Sequence, residues 1–542
     1  MKKRYLTALL GVAALVSACN MDKFLDVNTN PNAPQSVTAN LYLPPMEHWL
    51  ITSPMYDGRF VGRYTKMFML PGSATATLPS SWDREGYDRG SDNGGEQWRD
   101  VYWSLGQNLS DMMTKAQAEK RWDLLGVGQV LRAWGWEVLT DLHGSIIIKE
   151  AFDPTRSVFD YDSEQYAYQV VDSLLGEAIN NLNKTGDAVD PTYLAAGDNL
   201  YHGDRTKWLK FAYGLRAISR NHFSNKSTYD PASVIKYVDS SFTSNADDAL
   251  FTYPQKDPSF ADYNFLGQSR NNVTSYRQTN FALNMVNGTD FGAVDPRMTR
   301  MFSYSPDGQY RGTDPDNPQG GAFDSLTAPN NFFGKPGVDR TQPSGRYVFD
   351  DNAKVPNMTY AELQFVKAEA AFLSGDKATA FTAYRNGISA HIDFVNARVA
   401  ENRDTAEHPI TATEKSTFLA SAAVAQTPAT LTLTQIMTQK YIALWGWGFN
   451  EAWMDLRRYH YLDTDPATGA QVYVGFTKPK SLDPDNNGNF VQRIRPRYNS
   501  EYVWNQYGLG KITPMSGLDP AYQTQPLWVT CADDNNCKPF GS

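Results

Sequence analysis

Residues 359–388, TYAELQFVKAEAAFLSGDKATAFTAYRNGI, decide the fold class of this chain. Thr359 and Glu362 have the spacing of a capping box, which marks the first turn of a helix. Gly375 follows an apolar stripe of helical spacing and predicts the end of that helix. A second amphipathic stripe then runs through Ile388. Two short helices joined by a tight turn predict a helix hairpin similar to a tetratricopeptide repeat.

Apolar residues recur at helical spacing elsewhere, which predicts a mainly α-helical protein. The stripes are Val101, Leu105, Leu109, Met112 and Ala116; Tyr166, Val170, Leu174, Ala178 and Leu182; and Trp208, Phe211, Ala212, Leu215 and Ile218. A further helix is predicted from about Leu433 to Tyr459. No clean self-repeat of roughly 34 residues is visible, so an array of helix pairs would be degenerate.

Two long stretches lack this periodicity. Residues 52–98 and 250–358 are rich in Gly, Pro, Asn, Asp and Ser, and they carry many aromatic residues. Loops of this length are uncommon in compact domains unless they serve a function. The sequence therefore predicts a helical scaffold that supports a large loop-rich subdomain.

The N-terminus has the pattern of a secretory signal peptide. Lys2, Lys3 and Arg4 precede an apolar run over 5–16, which is shorter than the roughly 20 residues that span a bilayer. Small residues then precede Cys19. This end resembles a bacterial lipoprotein signal, which implies that residues 1–18 are removed and that Cys19 is lipidated. An ordinary signal peptide with an incidental cysteine is the alternative.

Charge and composition exclude several classes of protein. The chain has 50 Lys and Arg against 59 Asp and Glu, a net charge of -9, and removal of the three basic residues near the N-terminus gives 47 against 59, or -12. Such a surface repels phosphate backbones, so nucleic acid is not expected as a partner. Aromatic residues make up 13% of the chain, which argues against intrinsic disorder.

The two other cysteines, Cys531 and Cys537, lie six residues apart near the C-terminus. In an exported protein an even pair at short spacing indicates a disulfide, and free thiols are the alternative. A zinc site would need further Cys or His residues nearby in the sequence, and there are none.

The sequence contains none of the common catalytic motifs, such as HExxH, GxSxG, a P-loop or GxGxxG. His222 extends an apolar stripe, which favours a core position over a ligand. Asp141, His143 and Glu150 form a polar island that suggests a catalytic triad. The favoured alternative is that Gly144 ends a helix there, and that Asp141 and Glu150 bind backbone or arginine groups.

One segment resembles half of a calcium-binding loop. Asp483, Asp485, Asn487 and Gly488 match positions 1, 3, 5 and 6 of an EF-hand. Ile494 stands at position 12, where the loop needs a bidentate carboxylate. A polar turn is therefore favoured over a Ca²⁺ site, and no cofactor is expected.

Aromatic residues in the loops are the main functional candidates. A sugar ring presents an apolar face that stacks on an aromatic ring, while polar groups bind its hydroxyls. The candidate ligand-binding residues are Trp82, Tyr87, Tyr304, Tyr310, Phe332 and Phe333. For any single one of them, packing of the loop onto the scaffold is the favoured alternative.

Six segments in order resemble the SusD/RagB family of surface lipoproteins, within it the SusD-like group. They are 24–32 (FLDVNTNPN), 140–144 with 150–151, 203–212 with 215–216, 295–297 (DPR), 362–370 with 375–376, and 495–498 with Glu501 and Asn505. The chain departs from the family pattern at 145–148, where Ser and three Ile replace the usual Asp and Pro, and at 213–214, where Tyr-Gly replaces Asn-Ser. The resemblance covers nearly the whole chain.

The resemblance implies four degenerate tetratricopeptide-like helix pairs that support a loop-rich ligand-binding subdomain, in one domain over 19–542. It implies a protein anchored by lipid to the surface of the outer membrane. Such a protein binds an oligosaccharide, or in some members a peptide, and delivers it to a SusC-type TonB-dependent transporter. It is not an enzyme. By position, the loops near Trp82 and over 304–333 look like those that form the site in relatives.

Three functions remain open from the sequence. Binding of a glycan is favoured, and binding of a peptide by a member of the same family is the second. The third is an exported α-helical glycoside hydrolase, which would need two carboxylates beside an aromatic cleft.

Overall fold

The computed structural model describes residues 37–89, 92–256, 262–319, 321, 324, 326–333, 345–402, 408–496, 498–532 and 537–540. The signal segment, Cys19 and the family segment 24–32 lie outside the described residues. Within them the fold is mainly α-helical, as predicted. No described helix has both the length and the apolar character that a membrane span requires.

Eleven helices of eight or more residues form the scaffold in the described part of the chain. They are α1 (Leu43–Tyr64), α2 (Gly106–Ala118), α3 (Trp122–His143), α4 (Glu164–Asn183), α5 (Arg205–Asn221), α6 (Pro231–Asp239), α7 (Tyr360–Leu373), α8 (Lys377–Glu401), α9 (Ala412–Leu419), α10 (Leu433–Leu444) and α11 (Phe449–Arg458). Shorter α-helices are Glu96–Arg99, Pro191–Ala195, Asn280–Asn284, Met298–Met301 and Gln506–Gly510.

In the described residues, four short strands pair across long stretches of sequence. They are β1 (Phe68–Met69), β2 (Ala249–Phe251), β3 (Arg277–Gln278) and β4 (Val355–Met358). β1 pairs antiparallel with β3, and β2 pairs antiparallel with β4. The first ribbon joins the two loop-rich regions, with Phe68 opposite Gln278, and the second joins the two ends of residues 250–358, with Phe251 opposite Val355.

Consecutive helices pack on one another from α2 to α8, which is the successive helix-pair packing expected of tetratricopeptide-like repeats. α10 packs on α7 and α8, and α11 packs on α1. The buried apolar side chains of these helices and of the loops form one large continuous core.

The hairpin over 359–388 forms as predicted. The Thr359 hydroxyl accepts a hydrogen bond from the Glu362 N–H, and the Glu362 carboxylate accepts one from the Thr359 N–H, both at 3.2 Å. Gly375 has φ +87°, a left-handed conformation that favours glycine. The Asp376 side chain then caps α8, which continues past Ile388 for three further turns.

The single helix predicted from Leu433 to Tyr459 is wrong, since the chain breaks between α10 and α11. Gly446 lies in the break with φ +87°. Trp445 beside it is fully buried and stacks on Phe302, with ring centroids 4.1 Å apart. The glycine conformation and the buried indole together turn the chain, and this turn brings α11 against α1.

The loop predicted from residue 52 onward begins only after α1. Gly58 and Gly62 lie in this helix, where a Cβ at either position would collide with the ring of Phe449 or Phe68. These glycines therefore permit close approach of α1 and α11 and do not mark a loop. The remainder of the two loop-rich regions contains only short helices and strands in the described residues.

The core-facing side of α4 is displaced by one residue from the predicted stripe. Its buried positions include Ala167, Val171 and Leu175, whereas the predicted Tyr166, Val170 and Leu174 lie at the boundary. Ala178 and Leu182 are buried as predicted. Boundary positions of a wide apolar face resemble its centre in sequence, because neighbouring turns carry similar residues.

Candidate functional site

Four of the six candidate aromatic residues lie in the core. Trp82 is only 5% exposed, and its ring centroid lies 4.9 Å from that of Phe60 and 5.2 Å from that of Tyr64. Phe332 stacks on Phe349 at 4.4 Å. Tyr87 and Phe333 are also buried. Packing leaves these rings little surface for a ligand, so the structure argues against direct contact with one.

Tyr304 and Tyr310 are the two candidates that keep partial exposure. They face each other across a single β-bridge, with ring centroids 6.1 Å apart. The Arg346 guanidinium lies 5.0 Å from the Tyr304 ring. The role of these two residues in ligand binding stays a prediction.

The residues suggested for calcium form a polar turn held by an arginine. Arg89 binds the carboxylates of Asp483 and Asp485, each at 2.7 Å. The Tyr87 hydroxyl donates a hydrogen bond to Asp485 at 3.0 Å. Asn487 ends the turn with φ +50°. The Arg89 guanidinium thus pairs with both of the carboxylates that the sequence suggested for Ca²⁺.

Cys531 and Cys537 are joined by a disulfide, with their Cα atoms 5.5 Å apart. Residues 533–536 between them lie outside the described residues.

The polar island of Asp141, His143 and Glu150 does not form a triad, because its members bind different partners. Asp141 accepts a hydrogen bond from the Tyr168 hydroxyl at 2.5 Å, so the prediction that its carboxylate binds backbone or arginine is wrong. His143 lies 3.0 Å from the carbonyl oxygen of Ile494, and burial lowers the pKa of this histidine to about 3. Glu150 binds backbone and arginine, as predicted, at 2.8 Å from the Asp160 nitrogen and 2.9 Å from Arg156.

The most aromatic concavity that we find in the described residues is a cleft of about 640 Å³. Its aromatic wall residues are Tyr56, Trp98, Tyr102, Trp103, Phe152, Phe159 and Tyr498. Polar side chains at the same cleft include Asn93, Glu96, Arg99 and Glu501. We call it the aromatic cleft. An apolar wall with a few polar groups is typical of small-molecule sites.

The two tryptophans of this cleft differ strongly in exposure. The helix Glu96–Arg99 continues into a π-helical turn, Asp100–Ser104, which changes the side-chain phase. As a result Trp98 is 4% exposed, whereas Trp103 is 71% exposed. The Arg99 guanidinium lies 5.7 Å from the Trp103 ring. The cleft therefore has an exposed indole at its rim with a cation beside it.

Buried hydrogen bonds hold this segment in place. Asp57 of α1 accepts hydrogen bonds from the N–H groups of Glu96 at 3.0 Å and Gln97 at 2.8 Å. Burial raises the pKa of Asp57 to about 7, against the effect of these bonds. The Tyr102 hydroxyl donates to the carbonyl oxygen of Ile147 at 2.8 Å. The floor of the cleft is thus fixed to the scaffold.

The sequence interpretation missed Trp98 and Trp103. A signal for Trp103 was present, since it lies off the apolar stripe that begins at Val101 and Leu105. A tryptophan on the polar side of an amphipathic helix is expected to be exposed. Trp98 gave no such signal, because its neighbours come from distant segments such as that of Tyr498.

The stability of the fold is expected to fall as pH rises, through Asp100 at the start of the π-helical turn. Asp100 is fully buried, and its Oδ2 has no hydrogen-bond partner among the described residues. Burial raises the pKa of Asp100 to about 8, whereas an unfolded Asp has a pKa of about 3.9. The unfolded state therefore binds fewer protons between these values, so the free energy of unfolding decreases as pH rises through this window.

Asp100→Asn is consequently expected to gain stability relative to the unmodified protein between pH 5 and pH 8, by at most about 1.4 kcal/mol per pH unit. Urea unfolding of both proteins at the two pH values measures this difference. An equal difference between the proteins at pH 5 and pH 8 would contradict the assignment.

Comparison with known proteins identifies the family to which this fold belongs. A family model described as "Starch-binding associating with outer membrane" matches residues 37–473. The chain belongs to the SusD-like family. Members of this family are binding proteins associated with the outer membrane. A comparison with curated protein sequences finds no match.

Solved SusD-like structures share the fold over most of the chain. A SusD/RagB family protein from Bacteroides thetaiotaomicron has 22% identity and a TM-score of 0.65, with 92% of this chain and 100% of that chain covered. A SusD homologue from Bacteroides fragilis has 19% identity and a TM-score of 0.69 at the same coverage. A chitin-binding SusD homologue from Flavobacterium johnsoniae has 19% identity and a TM-score of 0.61, again at 92% and 100%.

Proposed function

We propose that this SusD-like protein binds an oligosaccharide in the aromatic cleft at the cell surface and delivers it to a SusC-type TonB-dependent transporter. The observation that carries the proposal is the exposed Trp103 at the rim of a cleft of about 640 Å³. The starch-binding description of the family supports a glycan over a peptide, as does the chitin-binding relative. Lipidation at Cys19 would anchor the protein in the outer membrane.

The cleft chemistry matches both surfaces of a sugar ring. The indole face of Trp103 would stack on the apolar C–H face, which removes apolar surface of both partners from water. Arg99 and Asn93 would bind the hydroxyls at the ring edge, because a guanidinium and an amide offer several donors in fixed directions. Anchoring of the segment by Asp57 limits the conformational entropy that binding would cost.

We propose a binding protein and not an enzyme, because two of the three acids that line the cleft, Glu96 and Glu501, have structural partners. Glu501 is buried and accepts hydrogen bonds from the Tyr161 hydroxyl at 2.6 Å and from Asn505 at 3.0 Å. Glu96 forms an ion pair with Arg99. Neither of these two carboxylates could serve as a general acid or as a nucleophile without first losing its partner.

Titration of the chain from residue 20 onward against malto-, xylo- and chito-oligosaccharides and against peptides tests the proposal. We expect saturable binding of one glycan class and no products after overnight incubation. Trp103→Ala is expected to weaken the affinity at least about tenfold, a loss of about 1.4 kcal/mol. Trp504→Ala is the matched control, since Trp504 is 74% exposed but does not line the cleft.

Three other outcomes would contradict parts of the proposal. Products released from an oligosaccharide would contradict the binding-protein proposal and support a glycoside hydrolase. Binding of peptides alone would agree with membership of the family but would show that the ligand is not a glycan. An equal loss of affinity in the Trp103 and Trp504 variants would show that the ligand does not bind in the aromatic cleft.

A further inference from the structure

Two acids and a histidine meet in the interior of the helical scaffold, away from the aromatic cleft. Glu137 and Asp141 lie one turn apart on α3, and His222 directly follows α5. His222 Nδ1 lies 3.7 Å from Asp141 Oδ1 and 4.0 Å from Glu137 Oε1. One ligand atom from each residue lies within 4.8 Å of the others, and all three residues are buried. We call this the α3–α5 cluster.

Glu137 is the residue of this cluster that needs a further partner. It is 3% exposed, and among the described residues its carboxylate has the Ser219 side chain and His222 as polar neighbours, but neither oxygen has a hydrogen bond of ordinary geometry. It lines a cavity of about 90 Å³ together with Asp141 and His222. An unpaired carboxylate in such a place is strongly disfavoured, whereas a cation bound to it removes the penalty. The cavity has room for an ion with a water ligand.

The orientation of His222 suits a metal ligand. Its Nε2 lies 2.9 Å from a carboxylate oxygen of Glu451 on α11. A carboxylate that accepts the Nε2–H directs the other ring nitrogen, Nδ1, toward the two acids of α3. The Tyr168 hydroxyl lies 3.2 Å from Nδ1 but donates to Asp141 at 2.5 Å. This is the carboxylate–histidine arrangement that commonly supports a bound metal.

The charged groups around the cluster leave a deficit of positive charge. The acids that face it or belong to the adjoining network are Glu137, Asp141, Glu362, Glu369, Glu451 and Asp455. The bases are Lys440, Arg457 and Arg458. Lys440 is shared by Glu451 and Asp455, and Arg458 by Glu369 and Asp455. Arg457 donates to the backbone carbonyl of Asp141. Two carboxylates of α3 therefore lack an equivalent cation.

We propose that Glu137, Asp141 and His222 bind one divalent transition-metal ion, for which zinc is the best match. Two carboxylates and one imidazole, with a water in the cavity as fourth ligand, satisfy the tetrahedral preference of Zn²⁺. Bonds near 2.0–2.1 Å place tetrahedral donor atoms about 3.4 Å apart. The observed separations are at most 4.8 Å, and side-chain shifts of up to about 1 Å would bring them into that range. The ion would clamp α3 to the end of α5, and through Glu451 to α11.

The proposal is tested by metal analysis of the full mature chain. The protein is purified from cells grown in zinc-supplemented medium and is passed over a desalting column. We expect about one zinc per chain in the unmodified protein and less than about one tenth of that in Glu137→Gln, which keeps the shape but loses a ligand. Glu362→Gln is the matched control. Glu362 lines the same cavity, but its carboxylate accepts the Thr359 N–H of the capping box, so this variant is expected to keep its zinc.

A second measurement uses only the unmodified protein and so does not depend on folding of the variant. A strong chelator is expected to lower its melting temperature, and added ZnCl₂ to restore it. Metal-free protein with a melting temperature that the chelator does not change would overturn the proposal; His222 would then be an imidazolium held by Glu451 and Asp141. Zinc retained equally by Glu137→Gln and the control would also overturn it.

Discussion

Arg458→Met is expected to lower the free energy of unfolding by about 3–5 kcal/mol. The guanidinium of Arg458 is fully buried and binds both oxygens of Glu369, at 2.7 and 2.9 Å, and Asp455 at 2.5 Å. Methionine fills much of the same volume but supplies no charge. Two buried carboxylates would then lose a cation that they share, and an uncompensated buried charge is far more costly than the loss of an exposed one.

Urea unfolding followed by circular dichroism measures this effect. Lys511→Met is the matched control, because Lys511 and Asp160 form an exposed pair at 2.9 Å, and we expect no measurable change from its removal. Arg458→Lys is expected to recover part of the stability, since it keeps the charge but loses the bidentate geometry. A loss below about 1 kcal/mol in Arg458→Met would show that the interior adapts to the missing charge.

Trp82→Ala and Trp103→Ala are expected to act on different properties of the protein. Trp82 is packed against Phe60 and Tyr64 in the core, so its truncation is expected to cost about 3–5 kcal/mol of stability. The affinity of the molecules that remain folded is expected to stay unchanged. Trp103 is exposed at the rim of the aromatic cleft, so its truncation is expected to change stability by no more than about 0.5 kcal/mol while affinity falls.

The two variants are compared by urea unfolding and by titration with the glycan that the unmodified protein binds, below the unfolding transition of each variant. The same pair of measurements separates the two sequence-based alternatives for a loop aromatic residue, ligand contact or packing. Loss of affinity in a stable Trp82→Ala protein would show that the ligand binds at the loop around Trp82, as the sequence suggested. Large destabilisation in Trp103→Ala would show that this indole packs on the scaffold.

Local patterns predicted the local structure well. The capping box at Thr359 and Glu362 and the glycine at position 375 are formed by residues a few positions apart, and both appear as expected. The prediction of one long helix from Leu433 to Tyr459 is wrong for a reason that is not local. The turn at Gly446 depends on the burial of Trp445 against Phe302, which is 143 residues earlier in the chain.

The sequence by itself determined the helical class, the hairpin and the segments that resemble SusD-like proteins, because helix periods, caps and family motifs are encoded over short distances. Only the tertiary structure decided which of the loop aromatic residues are buried. Trp82 and Trp103 have similar chemistry, and burial depends on which distant surfaces cover each ring. The same holds for the α3–α5 cluster, where Glu137 and His222 are 85 positions apart in the chain and meet because α3 and α5 pack in one scaffold.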